Sequence, residues 1–130
     1  MIVVLDTNVW ISALEFGGIP DLAVFRALTQ DQLAISDFIE AEIVRVLTGK
    51  FGREPVELRT QLDEMLLQAL WVEVTGRVKG VCRDPDDDAV LETAWKARAG
   101  CLVAGDRDLL SLGAFRGTQI ISPAAYVKSE

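Results

Sequence analysis

Short apolar runs alternate along the chain with longer segments in which apolar side chains recur every three or four residues. The runs of strand length cover residues 2–5, 33–35, 71–74, 101–104 and 118–121. Between them, helical spacing is clearest over 38–47 and 56–70. Strands of a parallel sheet are buried on both faces and are therefore apolar throughout. The alternation predicts a single α/β domain over residues 1–130, with a central, mostly parallel sheet of four to five strands flanked by helices.

Acidic residues directly follow two of these apolar runs. Asp6-Thr7-Asn8 comes after the first run, and Gly105-Asp106-Arg107-Asp108 comes after residues 101–104. In an open α/β sheet, ligands bind outside the carboxyl ends of the strands, so these acids are candidate site residues. The same residue types also favour turns and helix caps, and a structural turn is the alternative.

A third acidic group is the run Asp84-Pro85-Asp86-Asp87-Asp88, which precedes a predicted helix over 87–98. Capping by Asp84 or Asp86 and attraction to the helix dipole account for one or two of these acids. Four carboxylates this close together repel one another, so capping does not explain them all.

Glu42 lies on or beside the apolar face of the helix predicted over 38–47. An unpaired carboxylate in that position is costly unless a site uses it. The alternative places Glu42 at the edge of the face, either in solvent or paired with Arg45 or Arg26.

The composition excludes several kinds of active site. The chain has no histidine, which rules out Ser-His-Asp and Cys-His nucleophiles and zinc sites that use imidazole. Its 20 acidic residues against 13 basic residues give a formal net charge of −7, which argues against a protein that coats nucleic acid electrostatically. The chain shows neither a signal-peptide pattern nor an apolar run long enough to span a bilayer, so we expect a cytoplasmic protein with no membrane partner.

Four acids converge if the strand ends and helix starts meet at one edge of the sheet. They are Asp6, Glu42, Asp88 and Asp106. Such a cluster is unfavourable without cations, but it is a good oxygen cage for Mg²⁺ or Mn²⁺. The chemistry that needs only carboxylates and hard metals is phosphoryl transfer.

Two other kinds of protein also use carboxylates after a first strand, phosphatases with an aspartyl nucleophile and phosphorelay receiver domains. A phosphatase with an aspartyl nucleophile needs an acid at the position of Asn8, because an amide cannot give and take a proton. A phosphorelay receiver domain needs an acid pair after the first strand and a lysine after a late strand, where this chain has Arg107. Both alternatives fit the sequence less well than a metal-dependent hydrolase.

Together, the motifs resemble those of the PIN domain family, and in particular the toxins of bacterial and archaeal toxin–antitoxin pairs. In chain order they are Asp6-Thr7-Asn8, Ser36-Asp37-Phe38 with Glu42 and Val46-Leu47, Asp84-Pro85-Asp86-Asp87-Asp88, and Gly105-Asp106-Arg107-Asp108-Leu109-Leu110. The resemblance implies a Mg²⁺- or Mn²⁺-dependent ribonuclease that cleaves RNA. It also implies an antitoxin protein as partner and a homodimer.

The family's acidic residues carry over by motif position. Asp6, Glu42, Asp88 and Asp106 match its acidic quartet, with Asp108 as a possible fifth acid. Asp88 is preferred to Asp87 because it directly precedes the apolar run at 89–91. Thr7 and Asp87 are assigned supporting roles, and Asn8 is expected to position Asp6 or a water molecule on the metal.

Six basic residues are expected to contact the RNA backbone around the acids without reading bases. They are Arg45, Lys50, Arg53, Arg77, Lys79 and Arg83. The alternative to an enzyme is a PIN-like fold that serves as a catalytically silent RNA- or protein-binding module.

Overall fold

A six-stranded sheet forms the centre of the computed structural model, which describes residues 1–129. The strands are β1 (Ile2–Leu5), β2 (Gln32–Ser36), β3 (Leu70–Val72), β4 (Cys101–Val103), β5 (Ala114–Phe115) and β6 (Thr118–Ile121). Their order is β3-β2-β1-β4-β6-β5, and every pairing is parallel except that of β5 with β6. The predicted α/β class and parallel sheet are confirmed. The sheet has six strands rather than four to five because β5, at two residues, is too short to leave a hydrophobic pattern.

Seven helices cover the sheet within residues 1–129. They are α1 (Thr7–Phe16), α2 (Gly18–Thr29), α3 (Asp37–Gly49), α4 (Pro55–Met65), α5 (Pro85–Ala97), α6 (Arg107–Leu110) and α7 (Pro123–Lys128). The helix predicted over 56–70 ends earlier, at Met65, because a turn intervenes in which the Ala69 N–H donates to the Leu66 carbonyl at 3.1 Å. None of the helices in this part of the chain is long and apolar enough to cross a membrane.

Side-chain caps determine where the two helices nearest the acidic motifs begin. Ser36 caps α3, because its hydroxyl oxygen accepts the Ile39 N–H at 3.2 Å. Asp84 caps α5 by accepting the Asp86 N–H at 2.9 Å, and Pro85 occupies the first turn, where its missing N–H costs nothing. The apolar residues that each helix buries, among them Ile39, Ile43 and Leu91, then determine which way its acids face.

The two central strands deliver acids to the same edge of the sheet. Val3, Val4 and Leu5 of β1 are fully buried, and Leu5 is in register with Val103 of β4. The ladder continues one step further, because the Asp6 N–H donates to the Val103 carbonyl at 2.9 Å. The residues that follow β1 and β4 therefore lie side by side at the carboxyl edge of the sheet.

Asp88 and Glu92, one turn apart on α5, hold the loop between β3 and α5 against the helix. Their carboxylates accept five backbone N–H groups at 2.6–3.1 Å, from Thr75, Arg77, Val78, Gly80 and Cys82. Glu92 is fully buried and also pairs with Lys96 at 2.9 Å. Burial opposes ionisation of Glu92, but the three loop N–H groups and Lys96 outweigh it and lower its pKa to about 2. We call this arrangement the loop clamp.

Replacing Glu92 with Gln should lower the free energy of unfolding by about 2 kcal/mol near neutral pH, because the amide loses the ion pair and presents N–H groups to N–H donors. The pKa of Glu92 is depressed from its ordinary value of 4.5, so this stabilisation is complete above about pH 4.5 and is lost as the pH falls toward 2. Chemical denaturation of the parent and of Glu92→Gln across that pH range measures the gap between their free energies of unfolding. Glu64→Gln, at an exposed acid, is the control. A gap that stays constant down to about pH 3 would contradict an ionised clamp.

Candidate metal centre

A polar cleft with a volume of about 310 Å³ opens at the carboxyl edge of β1 and β4. The cleft lies between the starts of α1 and α5 and the middle of α3. Its polar lining residues are Asp6, Thr7, Asn8, Glu42, Arg45, Lys50, Asp84, Asp86, Asp87 and Asp106. Six carboxylates therefore meet two basic side chains in one cavity.

Asp6 is the most enclosed of these acids, with only 3% of its surface exposed. Its Oδ2 atom is buried and has no hydrogen-bond partner among the described residues. Burial raises the pKa of Asp6 to about 7, the backbone N–H of Thr7 partly opposes the shift, and the negative charges of Asp106 and Glu42 add to it. The fold thus holds a carboxylate where the chain itself offers too little to stabilise its charge.

Glu42 turns toward the cleft rather than away from it. Its Oε1 accepts the Thr7 hydroxyl at 2.6 Å, which links α3 to the start of α1. Arg45 lies 3.8 Å from the other oxygen, so the predicted pairing with Arg45 is also present. Burial, together with the nearby charge of Asp86, raises the pKa of Glu42.

Of the two neighbouring acids on α5, Asp87 faces the cleft and Asp88 does not. Asp87 is 8% exposed, and burial together with the charges of Asp106 and Asp6 raises its pKa to about 7. Both oxygens of Asp88 are occupied in the loop clamp, by the N–H groups of Gly80 and Cys82. The choice of Asp88 over Asp87 is therefore corrected. One residue along a helix rotates the side chain by about 100°, which separates the cleft from the loop.

Asp106 and Asp108 flank the start of α6. Asp106 caps this helix by accepting the Asp108 N–H at 2.7 Å. Asp87, Asp106 and Asp108 each offer an oxygen within 4.8 Å of the others. Asp108 is at the same time bound by the Arg83 guanidinium through contacts of 2.8–3.2 Å, so its charge is balanced by the chain itself.

The structure separates the six predicted RNA-contacting residues into three groups. Arg45 and Lys50 line the cleft. Arg77, Lys79 and Arg83 lie on the loop held by the clamp, and Arg83 is paired with Asp108. Arg53 is engaged elsewhere, because its guanidinium binds Glu15 at 2.9 Å and Gln61 at 2.7 Å. These partners give Arg53 a structural role, and its predicted contact with RNA would have to compete with them.

Two further acids, Asp84 and Asp86, belong to the cleft although the sequence suggested no more than capping for them. Asp84 is the cap of α5, and Asp86 is the neighbour that raises the pKa of Glu42. The high density of acids between residues 84 and 88 is the sequence feature that could have indicated their place in the cleft. Asn8 lines the cleft, but its side chain makes no hydrogen bond to Asp6 within residues 1–129, so the expected positioning of Asp6 by Asn8 is not direct.

Comparison with known proteins identifies the fold. A family model described as a PIN domain matches residues 2–108. The chain belongs to the PIN domain family. The resemblance seen in the sequence is thereby confirmed, and the acids at the ends of β1 and β4 and on α3 and α5 all fall within the matched range.

Two solved structures share this PIN fold. A chain of VapBC2 from Rickettsia felis, bound to a DNA fragment from their promoter, has a TM-score of 0.66 and 16% identity, covering 92% of this chain and 97% of that chain. A chain of VapBC-1 from nontypeable Haemophilus influenzae has a TM-score of 0.66 and 16% identity, covering 95% and 99%. At this identity the likeness concerns the fold. A search of curated proteins gives no match.

The donor set of this PIN domain fits a hard divalent cation. Every candidate ligand is a carboxylate oxygen, the donor type preferred by Mg²⁺ and Mn²⁺, and no thiol or imidazole lies among them. The unpartnered Oδ2 of Asp6 and the raised pKa values of Asp6 and Asp87 mark a site in which Arg45 and Lys50 supply too little positive charge for the six carboxylates. A divalent cation would supply it.

Replacing Asp6 with Asn should stabilise the metal-free PIN domain at alkaline pH. The pKa of Asp6 is raised from 3.8 to about 7, so its ionisation costs stability as the pH rises through that interval, and no such cost exists below about pH 4. In EDTA at about pH 8, the Asn variant should be more stable than the parent by about 1–3 kcal/mol, and the gap should close by about pH 4.

Thermal or chemical denaturation over this range measures the difference. Asp21→Asn, at an exposed acid in the first turn of α2, is the matched control and should show no such gain. An Asp6→Asn variant that is less stable than the parent at every pH would contradict the claim that ionisation of Asp6 destabilises the metal-free protein.

Proposed function

We propose that this PIN domain is a metal-dependent endoribonuclease and the toxin of a toxin–antitoxin pair. The observation that carries the proposal is the buried, unpartnered oxygen of Asp6, which is surrounded by the charges of Asp87, Asp106 and Glu42. Hard cations take carboxylate oxygens of this kind as ligands, which supports a metal site over a plain binding surface. The two fold neighbours belong to VapBC structures, which supports the toxin–antitoxin context.

Asp6, Asp87, Asp106 and Glu42 are the residues that would hold Mg²⁺ or Mn²⁺. When bound, such a cation activates water and stabilises the leaving oxygen during hydrolysis of a phosphodiester. The Thr7 hydroxyl holds the Glu42 carboxylate toward the cleft through its 2.6 Å hydrogen bond. In this proposal Asp108 is a peripheral member of the cluster, because its carboxylate is already paired with Arg83.

The substrate is proposed to be RNA, as the family resemblance implies. Lys50 and Arg45 lie at the mouth of the cleft, where their charges suit the phosphates on either side of the bond to be cleaved. The absence of histidine is compatible with this reaction, because carboxylates and metal together supply the base and the charge stabilisation.

An exposed apolar row on α2 supports a protein partner. Ile19, Leu22 and Phe25 repeat at three-residue spacing and face solvent, while Ala23, Val24 and Ala27 of the same helix are buried. A helix that is apolar on both faces is typical of an element that a partner covers. We assign this row to the antitoxin. The homodimer and the cytoplasmic location remain predictions.

The experiment that tests the proposed function is cleavage of a cellular RNA pool by the pure protein with Mn²⁺ or Mg²⁺. The parent should give discrete products that EDTA abolishes. Asp87→Asn should lower the rate by about 100-fold or more, because it removes a ligand from the cluster. Asp88→Asn should cleave within about tenfold of the parent and instead lower stability by about 1–3 kcal/mol, because it releases the loop clamp.

These two neighbouring variants control for each other, since each removes one charge from the same helix turn. Lost cleavage in Asp88→Asn with retained cleavage in Asp87→Asn would overturn the assignment of the site. A folded parent that neither cleaves RNA nor gains stability from Mn²⁺ would favour the silent binding module.

A further inference from the structure

A cluster of basic and aromatic side chains lies at the carboxyl-terminal end of α5, away from the cleft. The guanidinium carbon of Arg116 is 4.6 Å from the ring centre of Trp95 and 4.9 Å from that of Phe115, and that of Arg77 is 5.8 Å from Trp95. We call these four residues the Trp95 platform. Guanidinium groups that lie on aromatic faces keep their in-plane N–H groups available for hydrogen bonds to other groups.

The backbone around the Trp95 platform is built to hold these side chains in place. On one side, the N–H of Arg77 donates to Glu92 at 2.6 Å in the loop clamp, one turn before Trp95 on α5. On the other side, Arg116 and Gly117 form the two-residue turn between β5 and β6, with φ values of 47° and 90°. Such turns favour Asn-Gly, so an arginine is an unusual residue at this left-handed position. Here the Arg116 guanidinium lies over the rings of Trp95 and Phe115.

The charge of the Trp95 platform is not neutralised by the chain. Within residues 1–129, Arg77 and Arg116 lie within ion-pair distance of no acid, although acids outnumber bases by 20 to 13. Arg53, Arg59 and Arg83, by contrast, are all paired at 2.8–2.9 Å. Two exposed guanidinium groups next to an aromatic ring are therefore left for an anionic partner.

The platform is within reach of a strand that enters the cleft. Trp95 comes eight residues after Asp87 on α5, which corresponds to about 12 Å along the helix axis. The clamped loop runs beside this stretch of the helix and exposes Lys79 between the two ends. Lys79 therefore provides one exposed positive charge between Arg77 and the end of α5 at the cleft.

We propose that the Trp95 platform binds the backbone and bases of single-stranded RNA outside the cleft, and so anchors the substrate whose phosphodiester the carboxylates face. This inference rests on the proposed function for the identity of the strand. RNA fits better than an acidic peptide, because bases stack on guanidinium and aromatic faces while phosphates accept the N–H groups. An anchor away from the cleft is needed because the six carboxylates of the cleft repel a polyanion.

Binding of a fluorescent single-stranded oligoribonucleotide in EDTA, measured by anisotropy over a range of salt, tests the platform separately from cleavage. Arg77→Gln and Arg116→Asn should each weaken binding by about threefold to tenfold, and each should lower the slope of log affinity against log salt by about 0.7. Asn suits the left-handed turn, so Arg116→Asn removes the guanidinium while keeping the hairpin. Trp95→Leu should weaken binding by about fivefold or more.

Lys128→Gln removes one exposed charge from α7 and is the matched control, for which affinity and salt slope should not change. If affinity and salt slope are unchanged in both Arg77→Gln and Arg116→Asn, the proposal that the Trp95 platform binds RNA is wrong. Equal displacement of the RNA by polyglutamate of the same charge would overturn the assignment to RNA. Binding that depends on Arg77 and Arg116 in a protein that cleaves no RNA would support the platform and contradict the proposed nuclease.

Discussion

Negative charge that the chain cannot neutralise by itself is the constraint on which the site depends. The parallel pairing of β1 with β4 places Asp6 beside the residues that lead to Asp106, and the packing of α3 and α5 on the core turns Glu42 and Asp87 toward the same cleft. Each acid then raises the cost of ionising the next, and burial adds to that cost. The sheet tolerates this arrangement because the buried strands and their hydrogen-bonded ladder stabilise the fold elsewhere.

The acids of α5 show how one short run of sequence serves several purposes. Their roles follow from rotation about the helix axis: Asp84 caps the helix, Asp86 faces Glu42, Asp87 faces the cleft, and Asp88 and Glu92 hold the loop. Asp87, which faces the cleft, accepts no backbone N–H group among the described residues, while Asp88 and Glu92, which face the loop, accept five. The same chemical group is thus poised to bind a cation on one side of the helix and is structural on the other.

Much of this could be predicted from the sequence because it follows from strong local patterns. Apolar runs that end in acids placed Asp6 and Asp106 at one edge of a parallel sheet, and helical spacing placed Glu42 beside them. Apolar spacing does not give the phase of α5 to within one residue, so the sequence favours Asp88, whereas the structure places Asp87 in the cleft. The acids that pair with Arg53 and Arg83, Glu15 and Asp108, lie 38 and 25 residues away along the chain, and no local pattern reports them. The Trp95 platform likewise joins a loop, a helix and a hairpin turn.

The measurement that tests the central claim most directly is the number of protons released when the metal binds. Isothermal titration of Mn²⁺ into the protein, in buffers with different ionisation enthalpies, measures that number at a given pH. Because Asp6 and Asp87 both have pKa values of about 7 in the metal-free protein, each is mostly protonated at about pH 6.5, and Mn²⁺ binding there should release about one to two protons. Binding without proton release, or no binding at all, would contradict the account of a carboxylate cluster that is completed by a cation.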